Sequence, residues 1–170
     1  NRPEHFRLFQ TQVDKYNNTG MVPVFSDDSK DRKGIAYRKS QLLKELKDND
    51  YIFLFDDDCF PIKAGWAEFI IEASKGNGQQ HMMYLKETPT IKRINKHPRV
   101  LQREDNSTFV CQIEEYNNCA GCMMFLTKEV IEKVGGYNPA YGFYGYEHAG
   151  YSNRIHAAGL TPLGKYTCPS

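Results

Sequence analysis

The spacing of hydrophobic residues changes along the chain between helical and strand-like patterns. Phe6, Phe9 and Val13 are separated by three or four residues, which is typical of a helix, and Pro3 suits its first turn. Short apolar runs with β-branched and aromatic residues predict strands instead. The predicted helices of the first half cover residues 3–16, 35–46 and 64–74, and the predicted strands cover residues 21–25, 51–55 and 81–85. This alternation favours a parallel sheet with crossover helices.

The second half contains a polar stretch followed by further strands and helices. Residues 86–106 carry six Lys or Arg residues and two prolines, which predicts a long loop. Strands are predicted over residues 109–113 and 122–126. Thr127 is expected to cap a helix that ends at the Gly135-Gly136 pair, and a last helix is predicted from about residue 147 to 158. We expect one α/β domain over residues 1–170.

The composition argues against some classes of partner and against a membrane-spanning segment. The 170 residues include 22 basic and 21 acidic side chains, so no surplus of positive charge points to nucleic acid or an anionic membrane. No apolar run approaches the roughly 20 residues of a membrane span, and no signal peptide opens the chain. The first residue is Asn1 and not Met, which leaves open that the chain is a fragment of a longer, membrane-associated polypeptide.

The cysteines are interpreted as thiols. There are five, an odd number, and Cys119 and Cys122 form a lone CxxC pair. A structural zinc site would need a second pair or histidines at ligand spacing, so we expect no zinc here. Reduced cysteines favour a cytoplasmic location.

Three consecutive aspartates follow the apolar run of residues 51–55. A buried strand would bring Asp56, Asp57 and Asp58 to its C-terminal end, where open α/β sheets bind ligands. Carboxylates this close repel one another unless a cation lies between them. Oxygen ligands suit Mg²⁺ or Mn²⁺, which bind one or two carboxylates together with substrate phosphates. The alternative is an ordinary solvated acidic turn.

A second informative segment is rich in glycine and tyrosine and leads into the last predicted helix. Glu147 and His148 lie in the first turn of that helix. A helix N-terminus stabilises a carboxylate and lowers the pKa of a nearby imidazole, so that either group is available as a base. The alternative is that Glu147 only caps the helix while His148 packs beside it.

Taken in order, these segments resemble the GT-A-fold glycosyltransferases, especially inverting family 2 and the galactosyltransferases. The acidic triplet matches their D-x-D motif, residues 135–138 match a G-G-[FY]-(D/N) turn, and residues 145–154 match the glycine–acidic helix start that ends in arginine. Residues 34–38 resemble the start of an early helix of that fold. Two departures stand out: the first strand of the fold is missing from the chain, and His148 replaces the usual catalytic aspartate.

The resemblance implies a Rossmann-like, mostly parallel GT-A sheet flanked by helices. It also implies metal-dependent transfer of a sugar from a UDP-sugar to an acceptor hydroxyl, with inversion. Asp56 and Asp58 would hold Mn²⁺ or Mg²⁺, and Glu147 or His148 would be the base. Residues expected to contact the nucleotide are Asp57, Arg38 and either Asp27 or Asp28.

Two alternative functions are also consistent with the sequence. One is a nucleotide-sugar-binding pseudoenzyme, which the missing strand and the histidine replacement favour. The other is a magnesium-dependent nucleotidyltransferase, although the glycine- and basic-rich triphosphate loop of that class is not visible in the sequence. The donor sugar and the acceptor stay open.

Overall fold

The computed structural model describes residues 3–16, 20–27, 31–102, 106–143 and 145–170. The helices are α1 (Pro3–Tyr16), α2 (Ile35–Glu45), α3 (Trp66–Asn77), α4 (Lys128–Val134) and α5 (Glu147–Ala157), with a 3-10 turn at Pro139–Tyr141. The strands are β1 (Tyr51–Phe55), β2 (His81–Met83), β3 (Arg93–Gln102), β4 (Thr108–Tyr116), β5 (Met123–Thr127) and β6 (Thr167–Pro169). None of the described helices combines the length and the apolar composition that a membrane span needs.

Strand β5 is the centre of the fold. It lies between β1 and β2 in the first sheet, and all five of its residues are buried. Met124 and Leu126 pack with residues of α2, α4 and α5, whereas Met123 and Phe125 pack with residues of α3. A run that is apolar at every position, and not at alternate ones, is expected of a strand covered by helices on both faces.

The predicted mostly parallel, Rossmann-like GT-A sheet is wrong. The described residues form two three-stranded sheets in which every pair of neighbours is antiparallel, with orders β1-β5-β2 and β3-β4-β6. Because β1 and β2 are both antiparallel to β5, they do run in the same direction, as a strand–helix–strand unit requires. The later strand β5 takes the place between them, so no parallel ladder forms.

The polar stretch predicted as a loop over residues 86–106 contains a strand, so that prediction is wrong. Strand β3 pairs with β4 at nine described positions, from Arg93 opposite Tyr116 to Gln102 opposite Thr108. The register shifts between Arg93 and Asn95. Pro98 lies within it, opposite Gln112. Proline is tolerated because β3 is an edge strand, where a residue without an N–H group need not break a ladder.

Of the other helices and strands predicted from the sequence, one strand is absent and the rest are present. Residues 21–25 form no strand in the structure, and Val22 is 83% exposed, so the prediction of a strand over residues 21–25 is wrong. The remaining predicted helices and strands are confirmed with small shifts of their ends. Helix α1 packs on the sheet through Phe9, whose ring lies 5.6 Å from that of Phe55 at the end of β1.

A buried polar contact joins the first sheet to α5. His81 of β2 is fully buried, with Nδ1 2.9 Å from the carbonyl oxygen of Phe125 and Nε2 2.8 Å from Oγ of Ser152. The carbonyl can only accept, so Nδ1 carries the hydrogen and Nε2 accepts from the serine hydroxyl. Burial lowers the pKa of His81 to about 4.

We predict that stability falls on acidification because of His81. The ordinary pKa of histidine, 6.5, applies in the unfolded chain, so between pH 6.5 and about 4 the unfolded state binds the extra proton. His81 should therefore contribute a slope of roughly 1.4 kcal/mol per pH unit in that window and none above pH 6.5. Urea unfolding from pH 7.5 to 4.5 measures it. His81→Gln should reduce the slope by about that amount and leave the part that comes from His148, whose pKa burial also lowers. His156→Gln, on the exposed side of α5, should leave the slope unchanged. Equal slopes in all three proteins would contradict the prediction.

Candidate functional site

The aspartate triplet forms a tight turn directly after β1. The N–H group of Asp56 donates to the carbonyl oxygen of Cys122 at 2.8 Å, which extends the β1–β5 ladder by one bond. The N–H group of Cys59 then donates to the carbonyl oxygen of Asp56 at 3.1 Å, closing a turn of four residues. Asp57 and Asp58 occupy the exposed tip of this turn, while Asp56 points toward the protein.

A buried lysine pairs with Asp56. Nζ of Lys39 lies 2.6 Å from Oδ1 of Asp56, and the two side chains are only 7% and 27% exposed. Burial is the main reason that the pKa of Asp56 is raised; Lys39 opposes this shift, and the charges of Asp58 and Glu147 add to it. Lys39 therefore stabilises a carboxylate that burial would otherwise disfavour.

Side chains at the start of α5 also lie close to Lys39. Nε2 of His148 lies 3.4 Å from Nζ of Lys39 and 3.0 Å from Oε1 of Glu147. The other carboxylate oxygen of Glu147 accepts the N–H group of Gly145 at 2.6 Å. Gly121 makes room for the imidazole, because a Cβ atom on it would lie 1.8 Å from Cδ2 of His148. Lys39, Asp56, Glu147 and His148 thus form one network, which we call the Lys39 network.

His148 is held in the neutral form. Burial lowers the pKa of His148 to about 3, and the charge of Lys39 acts in the same direction. A neutral imidazole nitrogen cannot both donate to Glu147 and accept from Lys39. The shorter contact, to Oε1 of Glu147, assigns the hydrogen to Nε2, so that His148 donates to the carboxylate. Nδ1 lies 3.1 Å from Sδ of Met124.

The glycine–tyrosine segment before α5 is fixed by its side chains. Tyr137 is buried, and its hydroxyl donates to Sδ of Met124 at 2.9 Å. The hydroxyl of Tyr151 donates to the carbonyl oxygen of Gly135 at 2.7 Å. Arg154 donates to the carbonyl oxygens of Val134 and Gly136 and so braces this loop. Glu147 and His148 are thereby held in position relative to β5.

A cavity of about 240 Å³ opens beside His148. Its wall is made of the residues before β5 and the first turn of α5: Asn118, Cys119, Gly121, Tyr146, His148 and Ala149. His148 is therefore shared between the cavity and the Lys39 network. A molecule in the cavity would meet the network at the imidazole.

The remaining predicted site residues lie in other surroundings. Arg38 donates to the carbonyl oxygen of Asp31 at 2.7 Å and to Oε1 of Gln41 at 3.2 Å, so its contacts are within its own region. Asp27 is exposed, and Asp28 lies outside the described residues. The structure thus brings together Asp56, Glu147 and His148 from the predicted set.

The two cysteines of the lone CxxC pair, Cys119 and Cys122, lie in different surroundings. Cys122 is hydrogen-bonded to Cys59, at the end of the aspartate turn, and this bond lowers the pKa of Cys122. The same bond, together with burial, raises the pKa of Cys59. Cys119 lines the cavity instead. All five cysteines are free thiols.

The chemistry of the aspartate turn fits a divalent cation that arrives with a diphosphate. Within the described ranges, no cluster of three or more His, Cys, Asp or Glu side chains could hold a metal ion by itself. Magnesium and manganese do not require such a cluster, since one or two carboxylates suffice when substrate phosphates and water complete the shell. Asp58 at the exposed tip and Asp56 below it offer those carboxylates.

Comparison with known proteins points to one class. A family model described as the N-terminal domain of galactosyltransferase matches residues 107–163, roughly a third of the 170-residue chain. No curated protein and no solved structure matches the chain. The matched region includes β4, β5, α4 and α5, and therefore Glu147, His148 and the whole cavity wall. The match supports a glycosyltransferase, which uses a sugar donor and an acceptor.

Sequence reasoning missed Lys39, although a signal for it was present. Ala36, Lys39 and Leu43 are spaced by three and four residues and are all buried on one face of α2. A lysine at a buried position of a helix is rarely found without a charged partner. Three adjacent aspartates elsewhere in the chain could have supplied that partner.

We predict a strong coupling between Lys39 and Asp56. Lys39→Met should lower the free energy of unfolding by roughly 1–3 kcal/mol because it leaves a partly buried carboxylate without its cation. Asp56→Asn in the same protein should recover much of this loss. A double-mutant cycle in urea at pH 7 measures the coupling.

The matched control is the exposed pair Lys133 and Glu129, whose Nζ and Oε1 atoms are also 2.6 Å apart. That pair should couple by no more than about 0.5 kcal/mol. Equal coupling energies for the two pairs would show that burial adds nothing to the Lys39–Asp56 interaction.

Proposed function

We propose that the protein is a metal-dependent glycosyltransferase that moves a sugar from a UDP-sugar to an acceptor hydroxyl with inversion at the sugar carbon. The observation that carries this proposal is the Lys39 network, which joins the aspartate turn to the glutamate–histidine pair at the start of α5. A transferase needs both halves close together: a place for the departing diphosphate and a base for the acceptor. The family match over residues 107–163 supports the class independently.

The aspartate turn is the proposed donor side. Asp58 and Asp56 would hold Mn²⁺ or Mg²⁺, with Asp57 close to the nucleotide. When bound, the ion neutralises charge that develops on the leaving diphosphate. Lys39 favours the charged form of Asp56 and pairs with it, and its own positive charge lies within the same network. Asp27 or Asp28 and Arg38 are proposed as nucleotide contacts on the resemblance alone.

Glu147 is the proposed base, with His148 as the group that positions it. The acceptor hydroxyl has a pKa far above 7 and needs a proton acceptor within hydrogen-bond reach. His148 is a poor candidate at neutral pH, because burial and the charge of Lys39 hold its pKa at about 3. Glu147 is held by Gly145 on one oxygen and by His148 on the other, and the latter oxygen lies next to the ring that borders the cavity.

Donor binding is predicted to depend on a divalent ion and on Asp58. Isothermal titration of UDP should show tighter binding with Mn²⁺ than in chelator, and Asp58→Asn should lose that difference because the metal loses a charged ligand. Asp48→Asn, which changes an exposed aspartate outside the turn, is the control and should bind like the wild type. Metal-dependent affinity that survives Asp58→Asn would remove this residue from the metal site.

Loss of the base is predicted to reduce turnover far more than donor binding. Glu147→Gln should lower kcat by roughly 10²–10⁴ while the affinity for UDP with Mn²⁺ stays nearly unchanged. His148→Gln keeps an N–H donor near the carboxylate and should have a smaller effect. Rates at saturating donor and acceptor decide between them. Near-wild-type rates in both variants would exclude the start of α5 from the chemistry.

A nucleotide-sugar-binding pseudoenzyme is the second candidate, favoured by the replacement of the expected aspartate by His148. Slow hydrolysis of the donor distinguishes the two, since a transferase that lacks an acceptor passes the sugar to water. A panel of UDP-sugars incubated with Mn²⁺ should release UDP from at least one member. Tight binding of a UDP-sugar without any release would favour the binding protein.

A further inference from the structure

Two thiols lie against each other beside the aspartate turn. Cys59 directly follows Asp58, and its side chain is hydrogen-bonded to that of Cys122. The backbone holds the pair in place: the N–H group of Asp56 donates to the carbonyl oxygen of Cys122 at 2.8 Å, and the N–H group of Cys59 donates to the carbonyl oxygen of Asp56 at 3.1 Å. The fold therefore brings together two cysteines that are far apart in sequence.

These two cysteines differ from the other three in their exposure and their surroundings. Both are partly exposed, so a small molecule can reach their sulfur atoms. Cys111 and Cys168 are only 0% and 8% exposed, and buried thiols are inert. Cys119 is partly exposed too, but it packs with the residues on the α5 side of the first sheet, whereas Cys59 packs with those on the α3 side. The partner that the fold gives Cys122 is thus Cys59, and not the other member of the CxxC pair.

We propose that Cys59 and Cys122 form an oxidation site, which a small disulfide compound converts reversibly into an intramolecular disulfide, and that this bond weakens the binding of a metal ion and nucleotide at the aspartate turn. The oxidation site stands on the contact between the two thiols. Its effect on the metal and the nucleotide rests on the proposed function, because Asp58 is a metal ligand only in that proposal.

The reaction is a thiol–disulfide exchange in two steps. One cysteine loses its proton and attacks a sulfur of the small disulfide, whose S–S bond breaks; the departing thiolate takes up a proton and leaves as a thiol. The second cysteine then attacks the protein sulfur of the mixed disulfide, and the second small thiol leaves in the same way. Two electrons and two protons pass from the protein to the small disulfide, and an excess of small thiol reverses the reaction.

Closing the bond requires the aspartate turn to move. The sulfur atoms of a disulfide are about 2.05 Å apart, well below any hydrogen-bond separation, so the two sulfurs must approach each other. Strand β5, which begins directly after Cys122, is buried at all five positions and is held by helices on both faces. Asp57 and Asp58, in contrast, are at the exposed tip of the turn. The displacement therefore falls mainly on the turn that carries Asp58.

The first test maps the bond. The folded wild type is incubated with oxidised glutathione, the remaining thiols are blocked with N-ethylmaleimide, and the products are identified by tandem mass spectrometry before and after reduction. We expect loss of two thiols, a Cys59–Cys122 linkage and full recovery in excess reduced glutathione. Cys59→Ser and Cys122→Ser should form no intramolecular disulfide, whereas Cys119→Ser, the matched control from the same CxxC pair, should oxidise like the wild type. In concentrated urea the wild type should lose its preference for this linkage.

The second test follows the consequence for the aspartate turn. Amide chemical shifts of residues 56–58 are compared by NMR in reduced and oxidised wild type, and UDP is titrated calorimetrically with Mn²⁺ into both forms. Oxidation should shift these amides and weaken metal-dependent UDP binding roughly tenfold or more, and reduction should restore both. The same treatment of Cys59→Ser should change neither. This pattern would separate a bond that moves the turn from a thiol pair that only fills space.

The outcomes distinguish this proposal from the proposed function. A Cys119–Cys122 linkage, no protein disulfide, or a Cys59–Cys122 bond that leaves the amide shifts and the UDP affinity unchanged would overturn the proposal. Metal-dependent UDP binding by a protein that never forms the bond would overturn the oxidation site and leave the transferase. A reversible bond that shifts the amides in a protein without any affinity for UDP would support the oxidation site and contradict the proposed donor side.

Discussion

The ion pair of Lys39 and Asp56 is the interaction on which the rest of the site depends. It joins α2 to the turn after β1, and through His148 it reaches the start of α5. These segments are far apart in sequence, so each is brought to the network by the central sheet. A buried lysine and a half-buried aspartate are costly to desolvate singly, and each is tolerated because the other is present. The pair therefore fixes where the aspartate turn lies relative to the glutamate–histidine pair.

The fold supports this arrangement on the face of β5 that α5 covers. On the face that carries α2, α4 and α5, Met124 contacts both Tyr137 and His148, so the loop before α5 and the imidazole share one support. His81 joins β2 to Ser152 on α5, one and a half turns beyond Glu147. The start of α5 is thus held by contacts along the helix, while the tip of the aspartate turn is exposed at the surface.

Local structure could be predicted from sequence where one physical signal dominated. The spacing of apolar residues located α1, α2 and α3, and the apolar run at residues 51–55 located β1 with the aspartates at its end. Strand order could not be predicted in this way, because the insertion of β5 between β1 and β2 depends on contacts between distant parts of the chain. The basic stretch that includes Pro98 was mistaken for a loop because an edge strand tolerates both charge and proline.

Part of the site could be predicted because its residues lie in recognisable motifs. Motif order pointed to Asp56, Glu147 and His148, which the fold does bring together. Lys39 was missed because its significance lies in its burial on one face of α2, which no motif records. The expected contacts of Arg38 with a nucleotide rested on resemblance, and in the structure its guanidinium group binds Asp31 and Gln41.

We propose that the aspartate turn, with Lys39 beside it, is the donor side of a single site. A crystal structure with UDP and Mn²⁺, with the metal located by its anomalous scattering, tests this proposal. One manganese peak is expected within bonding distance of Asp58, with the diphosphate on the side of the turn that faces Lys39. A nucleotide bound elsewhere, or a manganese ion without any contact to the aspartate turn, would contradict it.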